Sequence, residues 1–344
     1  MDREKSTILD CIGRTALLPL EGRHEGRAYR LYCKAEFMNP TGSVKDRIAY
    51  YMLEQAEQRG ELRPGSVIIE LSSGNTGIAL AQVAAVKGYR LIILMPAHMS
   101  TERVRLLQSL GAEVCLTPQE DGFAGALTRL QRILEENPTF YCPRQFENPD
   151  NPQAHYTHTG PEIWEQMGGE VDAFVDGVGT GGTLMGVGRY LRERNPKLCL
   201  VAVEPSEAAV MSGCCEFAGH KIAGIGDGFI PAIMDMTQVD RVEAVGSYEA
   251  VEMAKRLSRE FGLVVGISSG ANILAAIRTL DAIGLDKKVV TILPDRSERY
   301  FSTDLYLGGE WPPLRHCAPD CICRLAEPPP GTPGRSLTPV PTVR

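Results

Sequence analysis

The chain has 344 residues, a formal net charge of −7, 43% hydrophobic and 23% charged residues. At roughly 150 residues per domain this length predicts about two domains, and the apolar content supplies a real core, which excludes a chain disordered throughout. The acidic balance has no basic stripe, and no run reaches ~18 apolar residues, so neither a nucleic-acid partner nor a membrane span is expected. The opening residues Met1–Thr7 are charged and lack an apolar secretory core, and ten cysteines are scattered without a framework. Together they predict a cytoplasmic protein with reduced thiols.

In chain order, Cys11 to Leu20 and Tyr29 to Ala35 read as two short strands joined by a polar loop, Glu21 to Arg27. Asn39-Pro40-Thr41-Gly42-Ser43 is turn chemistry, and from Asp46 the spacing of Ile48, Met52 and Ala56 predicts a helix that Gly60 ends. Lys45 therefore stands in the first turn of a helix. There the helix dipole disfavours an ammonium and lowers the lysine pKa, as an amine nucleophile or base requires. Val67-Ile68-Ile69 is a buried-type strand running into Ser72-Ser73-Gly74-Asn75-Thr76-Gly77, followed by a helix over Ile78 to Lys87. Strands at Leu91 to Leu94 and Glu113 to Leu116 alternate with helices at Thr101 to Leu110 and Gly122 to Glu136. Such alternation predicts an α/β fold with a mostly parallel twisted sheet flanked by helices.

Asn148 to Thr159 is polar and rich in Asn, Pro and His, and reads as a connection marking a domain transition. The alternation then restarts. Ala173 to Asp176 is a strand, Gly177 to Gly182 a glycine loop, Thr183 to Arg194 a helix and Cys199 to Val203 a strand. Glu204 to Pro231 reads as irregular, Tyr248 to Phe261 as a helix, Ser268-Ser269-Gly270 as a turn, Ala271 to Ile283 as a helix and Val289 to Leu293 as a strand. Nine of the 23 prolines lie from Pro312 onward, so 313–344 reads as a flexible tail. Within it, His316, Cys317, Cys321 and Cys323 lack a paired zinc spacing, and no metal site is predicted. Vicinal Cys214-Cys215 reads as incidental.

Two loops carry anion chemistry. Gly177-Val178-Gly179-Thr180-Gly181-Gly182 lies between strand and helix, where exposed N–H groups and the helix dipole bind phosphate. With Glu204 ending the next strand, it also satisfies a dinucleotide fingerprint, so an NAD-dependent oxidoreductase is a rival reading. The Ser72–Gly77 loop offers three hydroxyls and an amide at another helix start, which suits a carboxylate. A dinucleotide site needs neither this second loop nor Lys45. A cofactor with an aldehyde and one phosphate, acting on an amino acid, uses all three: pyridoxal phosphate.

Five ordered strings, 39–47, 72–77, 179–183, 226–231 and 266–270, resemble the fold-type II pyridoxal-phosphate enzymes, specifically the cysteine synthases (O-acetylserine sulfhydrylases). The resemblance spans about residues 8 to 308 and implies two α/β domains with the cofactor between them. These are a smaller N-terminal domain over 40–152 and a larger cofactor-phosphate domain over 8–39 and 153–312. It implies that Lys45 carries the cofactor and acts as acid and base, that Asn75 bonds the 3′ oxygen, and that Gly179, Thr180, Gly181, Gly182 and Thr183 cradle the phosphate. Ser268 would face the pyridine nitrogen, where a serine gives a weaker electron sink than a carboxylate and so favours replacement at Cβ. Ser72, Ser73, Gly74, Thr76 and Gln145 would bind the substrate carboxylate. The implied reaction makes L-cysteine from O-acetylserine and sulfide through aminoacrylate, in a homodimer. The resemblance also implies a possible partner, the C-terminal tail of serine acetyltransferase.

Asp295-Arg296 stands where A-type enzymes usually carry Ser-Gly, and resembles the B-type, as does the 148–162 region. Gly179–Thr183 and His220-Lys221-Ile222 lean toward the A-type. The sulfur donor is therefore open among sulfide, thiosulfate and homocysteine. Cystathionine β-synthase and O-phosphoserine sulfhydrylase are the near alternatives.

Overall fold

In a computed structural model of the chain, the described residues are 6–72, 74–97, 101–118, 120, 122–213 and 219–307. They fall within one compact unit, Met1–Leu307. Their strands form two sheets. Strands β3 (Val67–Leu71), β4 (Arg90–Pro96) and β5 (Glu113–Thr117) are all parallel; α1 (Lys45–Gln58) precedes them, α2 (Asn75–Lys87) and α3 (Thr101–Ser109) lie between them and α4 (Gly122–Glu136) follows. The second sheet has the order β1-β2-β9-β6-β7-β8. It comprises β1 (Leu17–His24), β2 (Arg27–Lys34), β6 (Ala173–Gly177), β7 (Cys199–Pro205), β8 (Arg241–Val245) and β9 (Val289–Ile292). It is parallel from β2 onward, and only the β1–β2 hairpin is antiparallel.

Continuous apolar runs make the central strands, because both faces are covered. Ile48, Met52 and Ala56 are buried as their spacing predicts, with Ala56 joining a core that includes Leu53, Ile68, Ile78 and Leu80. A separate core lies on one face of the six-stranded sheet, where α8 (Ser247–Phe261) and α9 (Ile267–Ile283) pack together. The other face packs against α7 (Gly182–Arg192).

Four sequence expectations need correction. The predicted loop Glu21 to Arg27 is mostly strand. The hairpin turns at Glu25-Gly26, both with positive φ (48° and 81°), and Cys11 belongs to a preceding 3-10 turn, Ile8–Cys11. The polar run misleads because β1 is an edge strand with one face in solvent. The expected connection Asn148 to Thr159 is largely helical: α5 (Asp150–Ala154), a π-helical turn (His155–Thr159) and α6 (Gly160–Gln166) follow without a break. Its inward face is polar, with Asn151, His155 and Thr159 buried, so no apolar periodicity announces it. Ser268 to Gly270 are not a turn but the opening of α9. Strand β8 lies just beyond the region read as irregular and was not foreseen. It is a half-buried edge strand with two charged residues. The tail 313–344, its Cys/His cluster and Cys214-Cys215 lie outside the described residues.

Candidate active site

Parallel strands aim their C-terminal ends at one crevice, the usual place for a ligand in such sheets. Here β3, β6 and β9 deliver the Ser72–Gly77 loop, the Gly177–Thr183 loop and Pro294-Asp295 to a single cleft. Its volume is about 880 Å³ including the open mouth, within the range of small-molecule and cofactor sites. Lys45, Ser72, Gly74, Asn75, Thr76, Gln145, Gly179, Thr180, Thr183 and Ser268 all line it. Ser73 lies outside the described residues.

Lys45 is the first residue of α1. The preceding loop is pinned from several sides. Asp46 accepts from the Thr41 N–H at 2.7 Å, and the Val44 N–H donates to the Pro294 carbonyl at 2.8 Å. Burial pulls the Lys45 ammonium below the usual lysine range, against the pull of Asp176, Asp227 and Asp295. Fewer protons on this amine at neutral pH means more nucleophile and more base.

In the 72–77 loop, the Ser72 hydroxyl accepts from the Gly77 N–H at 2.9 Å, so it stabilises the opening turn of α2. Thr76 is inside the helix rather than its cap, and its Oγ1 donates to Gln145 Oε1 at 2.6 Å. Asn75 is engaged at both ends of its amide. Nδ2 donates to Asp295 Oδ2 at 2.7 Å, and Oδ1 accepts from Arg299.

Gly181 has φ +81° and caps α7, whose first N–H groups have no intrahelical acceptor. A Cβ on Gly182 would collide with the Asn151 amide, one on Gly181 with Met234, and one on Gly179 with the Gly224 carbonyl. Gly181 and Gly182 do not line the cleft themselves but adjoin Thr180 and Thr183, which do. A loop with no room for a Cβ at three of its positions and with a helix start behind it fits a phosphate. Sequence reasoning missed its supports. Asn151 Nδ2 donates to the Gln145 carbonyl at 2.7 Å and to Thr180 Oγ1 at 3.0 Å. His155 bonds Thr159 through Nδ1 at 2.9 Å and Thr183 through Nε2 at 3.2 Å. Burial, then Arg47 and Lys45, holds His155 well below its usual pKa, so it braces the loop as a neutral ring.

The cleft also holds three carboxylates, Asp176, Asp227 and Asp295, that were not singled out as site residues. Asp176 ends a predicted strand just before a glycine loop, and this is the signal that could have found it. Glu204, the acid of the dinucleotide reading, is occupied locally. It accepts from the backbone N–H groups of Met211 at 2.8 Å and Ser212 at 3.0 Å.

The chain matches the family model described as pyridoxal-phosphate dependent enzyme over residues 8–295. It is 47% identical over 300 residues to a cysteine synthase of Staphylococcus aureus, covering 87% of this chain and 96% of that one. It is 44% identical over 299 residues to cysteine synthase 3 of Caenorhabditis elegans, covering 86% and 88%. The crystal structure of a cysteine synthase from Entamoeba histolytica superposes with a TM-score of 0.84 at 42% identity, covering 89% of this chain and 91% of that one. A lysine at a helix start, a glycine-rich anion cradle and a hydroxyl loop thus converge in one cleft of a chain that belongs to the pyridoxal-phosphate dependent enzymes.

Proposed function

We propose that this protein forms L-cysteine from O-acetyl-L-serine and sulfide by pyridoxal-phosphate-dependent replacement at Cβ. The observation that carries the reading is Lys45, drawn below the usual lysine range inside a cleft that also holds the 72–77 and 179–183 loops. When bound through its aldehyde carbon to the lysine amine, the cofactor supplies an electron sink for Cα of an amino acid. Gly179, Thr180, Gly181, Gly182 and Thr183 hold its phosphate through backbone N–H groups and the two threonine hydroxyls. Ser268 would serve the ring nitrogen, and Asn75, now bonded to Asp295 and Arg299, would hold the 3′ oxygen.

Ser72, Ser73, Gly74, Thr76 and Gln145 hold the substrate carboxylate. Freed when the substrate amine takes its place on the aldehyde carbon, Lys45 Nζ would take the proton from Cα as acetate leaves Cβ. After sulfide has added at Cβ, it returns a proton to Cα. A substrate that touches the 72–77 segment would pull the smaller lobe shut, and closure would keep water from Cβ. We divide the chain into a lobe at 40–152 and one at 8–39 with 153–312. Sheet membership supports this, since β3, β4 and β5 lie within the first range and the other six strands outside it.

A cytoplasmic homodimer that also binds the tail of serine acetyltransferase completes the reading. Among the described residues no helix is long and apolar enough to cross a membrane.

The test is a substrate panel: O-acetylserine with sulfide or thiosulfate, O-acetylserine or serine with homocysteine, and O-phosphoserine with sulfide. Cysteine formation fastest from O-acetylserine and sulfide is expected. Preference for homocysteine or O-phosphoserine would overturn the assignment. Lys45→Ala should lose both the visible cofactor absorbance near ~410 nm and the replacement activity.

A further inference from the structure

A second cavity adjoins the cleft and shares the 144–147 segment with it. Its volume is about 700 Å³ including the open mouth. Arg144 lines this cavity, Gln145 lines the cleft and Phe146 lines both. Arg144 has φ 52°, uncommon for a long side chain, so the backbone bends sharply where the two cavities meet. One wall is a helix face. Leu127, Leu130 and Leu134 follow one stripe of α4, and Leu127 stays 39% exposed, so the fold does not fully cover that stripe.

Glu70 lines the cavity from β3 and is 4% exposed. Its Oε1 accepts from the Leu71 N–H at 3.0 Å. The Arg144 and Gln145 N–H groups lie toward the same carboxyl, but Oε2 meets no donor at hydrogen-bond geometry among the described residues. Buried carboxylate oxygens almost always have such a partner. Arg144 is near enough for its charge to act on Glu70, and its side chain is exposed. By exposure, Glu70 forms the floor, and Leu127, Arg144 and a second acid, Glu147, form the rim.

This combination narrows the ligand. A simple amine would leave Arg144 unmatched, and a fatty acid would bring a carboxylate against Glu70. A zwitterion with both charges on one carbon answers an acid and a cation that lie close together. We propose that the cavity binds a free α-amino acid with an apolar side chain, its ammonium on Glu70, its carboxylate on Arg144 and its side chain along Leu127, Leu130 and Leu134. Occupancy acts on the cleft through Phe146, whose ring also meets that of Phe229 with centroids 5.2 Å apart. Pressed from the α4 side, Phe146 narrows the cleft beside Gln145, and KM for O-acetylserine rises. The effect on KM rests on the proposed role of Gln145, whereas binding in the cavity does not.

The experiment titrates L-leucine into the holoenzyme by calorimetry while the visible absorbance of the lysine-bound cofactor is followed. Binding with Kd below about 1 mM is expected, with the absorbance unchanged. Isocaproate, which lacks the amine, and isopentylamine, which lacks the carboxylate, should each bind about tenfold more weakly or worse. E70Q and R144G should weaken L-leucine binding by a similar factor, glycine being chosen because it keeps the positive φ without strain. Saturating L-leucine should raise KM for O-acetylserine about threefold or more in wild type and leave it unmoved in E70Q. No heat with wild type, equal affinity in wild type and both variants, or an absorbance change that tracks the heat, which assigns the amino acid to the cofactor cleft, overturns the proposal. Binding as expected with KM unmoved overturns the coupling through Phe146. Binding as expected in an enzyme that does not use O-acetylserine overturns the functional reading and upholds the site.

Discussion

Arg47→Met would strand the Glu36 carboxylate, which is fully buried and grips the guanidinium through Nε at 2.6 Å and Nη2 at 2.8 Å. Arg47 also bonds Glu162 at 2.7 and 2.8 Å, and Lys34 meets Glu162 at 2.7 Å. Removing one member of such a buried pair typically costs ~3–5 kcal/mol, because the partner keeps its desolvation penalty. Glu36 retains donors from Thr15 Oγ1 at 2.7 Å and Asn39 Nδ2 at 2.8 Å, which places the cost near the lower end, about 3 kcal/mol. For a unit of this size that is a fall in Tm of about 6 °C.

The pH dependence has a definite sign. In wild type, burial would raise the Glu36 pKa, but Arg47, Thr15 and Lys34 outweigh it and the pKa lies below 4.5. Its stabilisation is present above the unfolded pKa and is lost as pH falls through the folded one. Without Arg47 burial wins, so the deficit of the variant relative to wild type should be largest near pH 8 and should shrink toward pH 5. Thermal unfolding followed by circular dichroism across that range measures it, and R47M/E36Q should recover most of the loss. A deficit under about 2 °C, or one that widens on acidification, would refute the reasoning.

Three further outcomes are expected. Gly182→Ala should push against Asn151 and weaken pyridoxal phosphate binding by about tenfold or more, equivalent to ~1–3 kcal/mol of overpacking. Titration of the apoprotein followed by absorbance reads it, and affinity within twofold of wild type would remove the cradle argument. Thr76→Val should leave the buried Gln145 Oε1 without its donor and raise KM for O-acetylserine about tenfold with a smaller effect on kcat; an unchanged KM counts against the carboxylate assignment. Glu70 is buried and its carboxyl is raised to about 7 by desolvation, against bonds from the Leu71, Gln145 and Arg144 backbone. A raised carboxyl pKa costs stability as pH climbs through it, so Glu70→Gln should stabilise by up to about 3 kcal/mol at pH 8 and little at pH 5. Equal Tm shifts at both pH values would contradict the sign.

Much of the fold was legible because buried parallel strands and amphipathic helices write their period into the sequence. Val67–Leu71 and Ala173–Gly177 are short apolar runs, and glycines such as Gly60 and Gly88 mark helix ends. The motif strings brought ten of the thirteen expected site residues to the lining of one cleft, with Gly181 and Gly182 next to lining residues in the chain. What stayed hidden has a common cause. Segment 150–166 buries Asn151, His155 and Thr159, which make hydrogen bonds through Nδ2, both ring nitrogens and Oγ1, beside only two fully buried apolar residues, Ala154 and Ile163. A periodicity argument looks for hydrophobes and so reads such a helix as loop. Asp176 and Asp295 were not singled out either, because an acid at or just past a strand end looks like a solvated one until the fold buries it, although the glycine loop after Asp176 was a usable signal.

That polar helical segment joins two systems that the sequence presents separately. Its first part supports the anion cradle through Asn151 and His155, and its last part holds Arg47 and Lys34 through Glu162, only two residues along α1 from Lys45. The segment thus acts as a common tie rod, and strain introduced at one end reaches the other through backbone hydrogen bonds. Thermodynamic reciprocity then applies: whatever the ion cluster contributes to cofactor affinity, bound cofactor must return as resistance of that cluster to opening. The π-helical turn at His155–Thr159 sits midway, where gaining or losing one residue would rotate one end against the other by about 100°. Length in this stretch is therefore constrained more tightly than its composition.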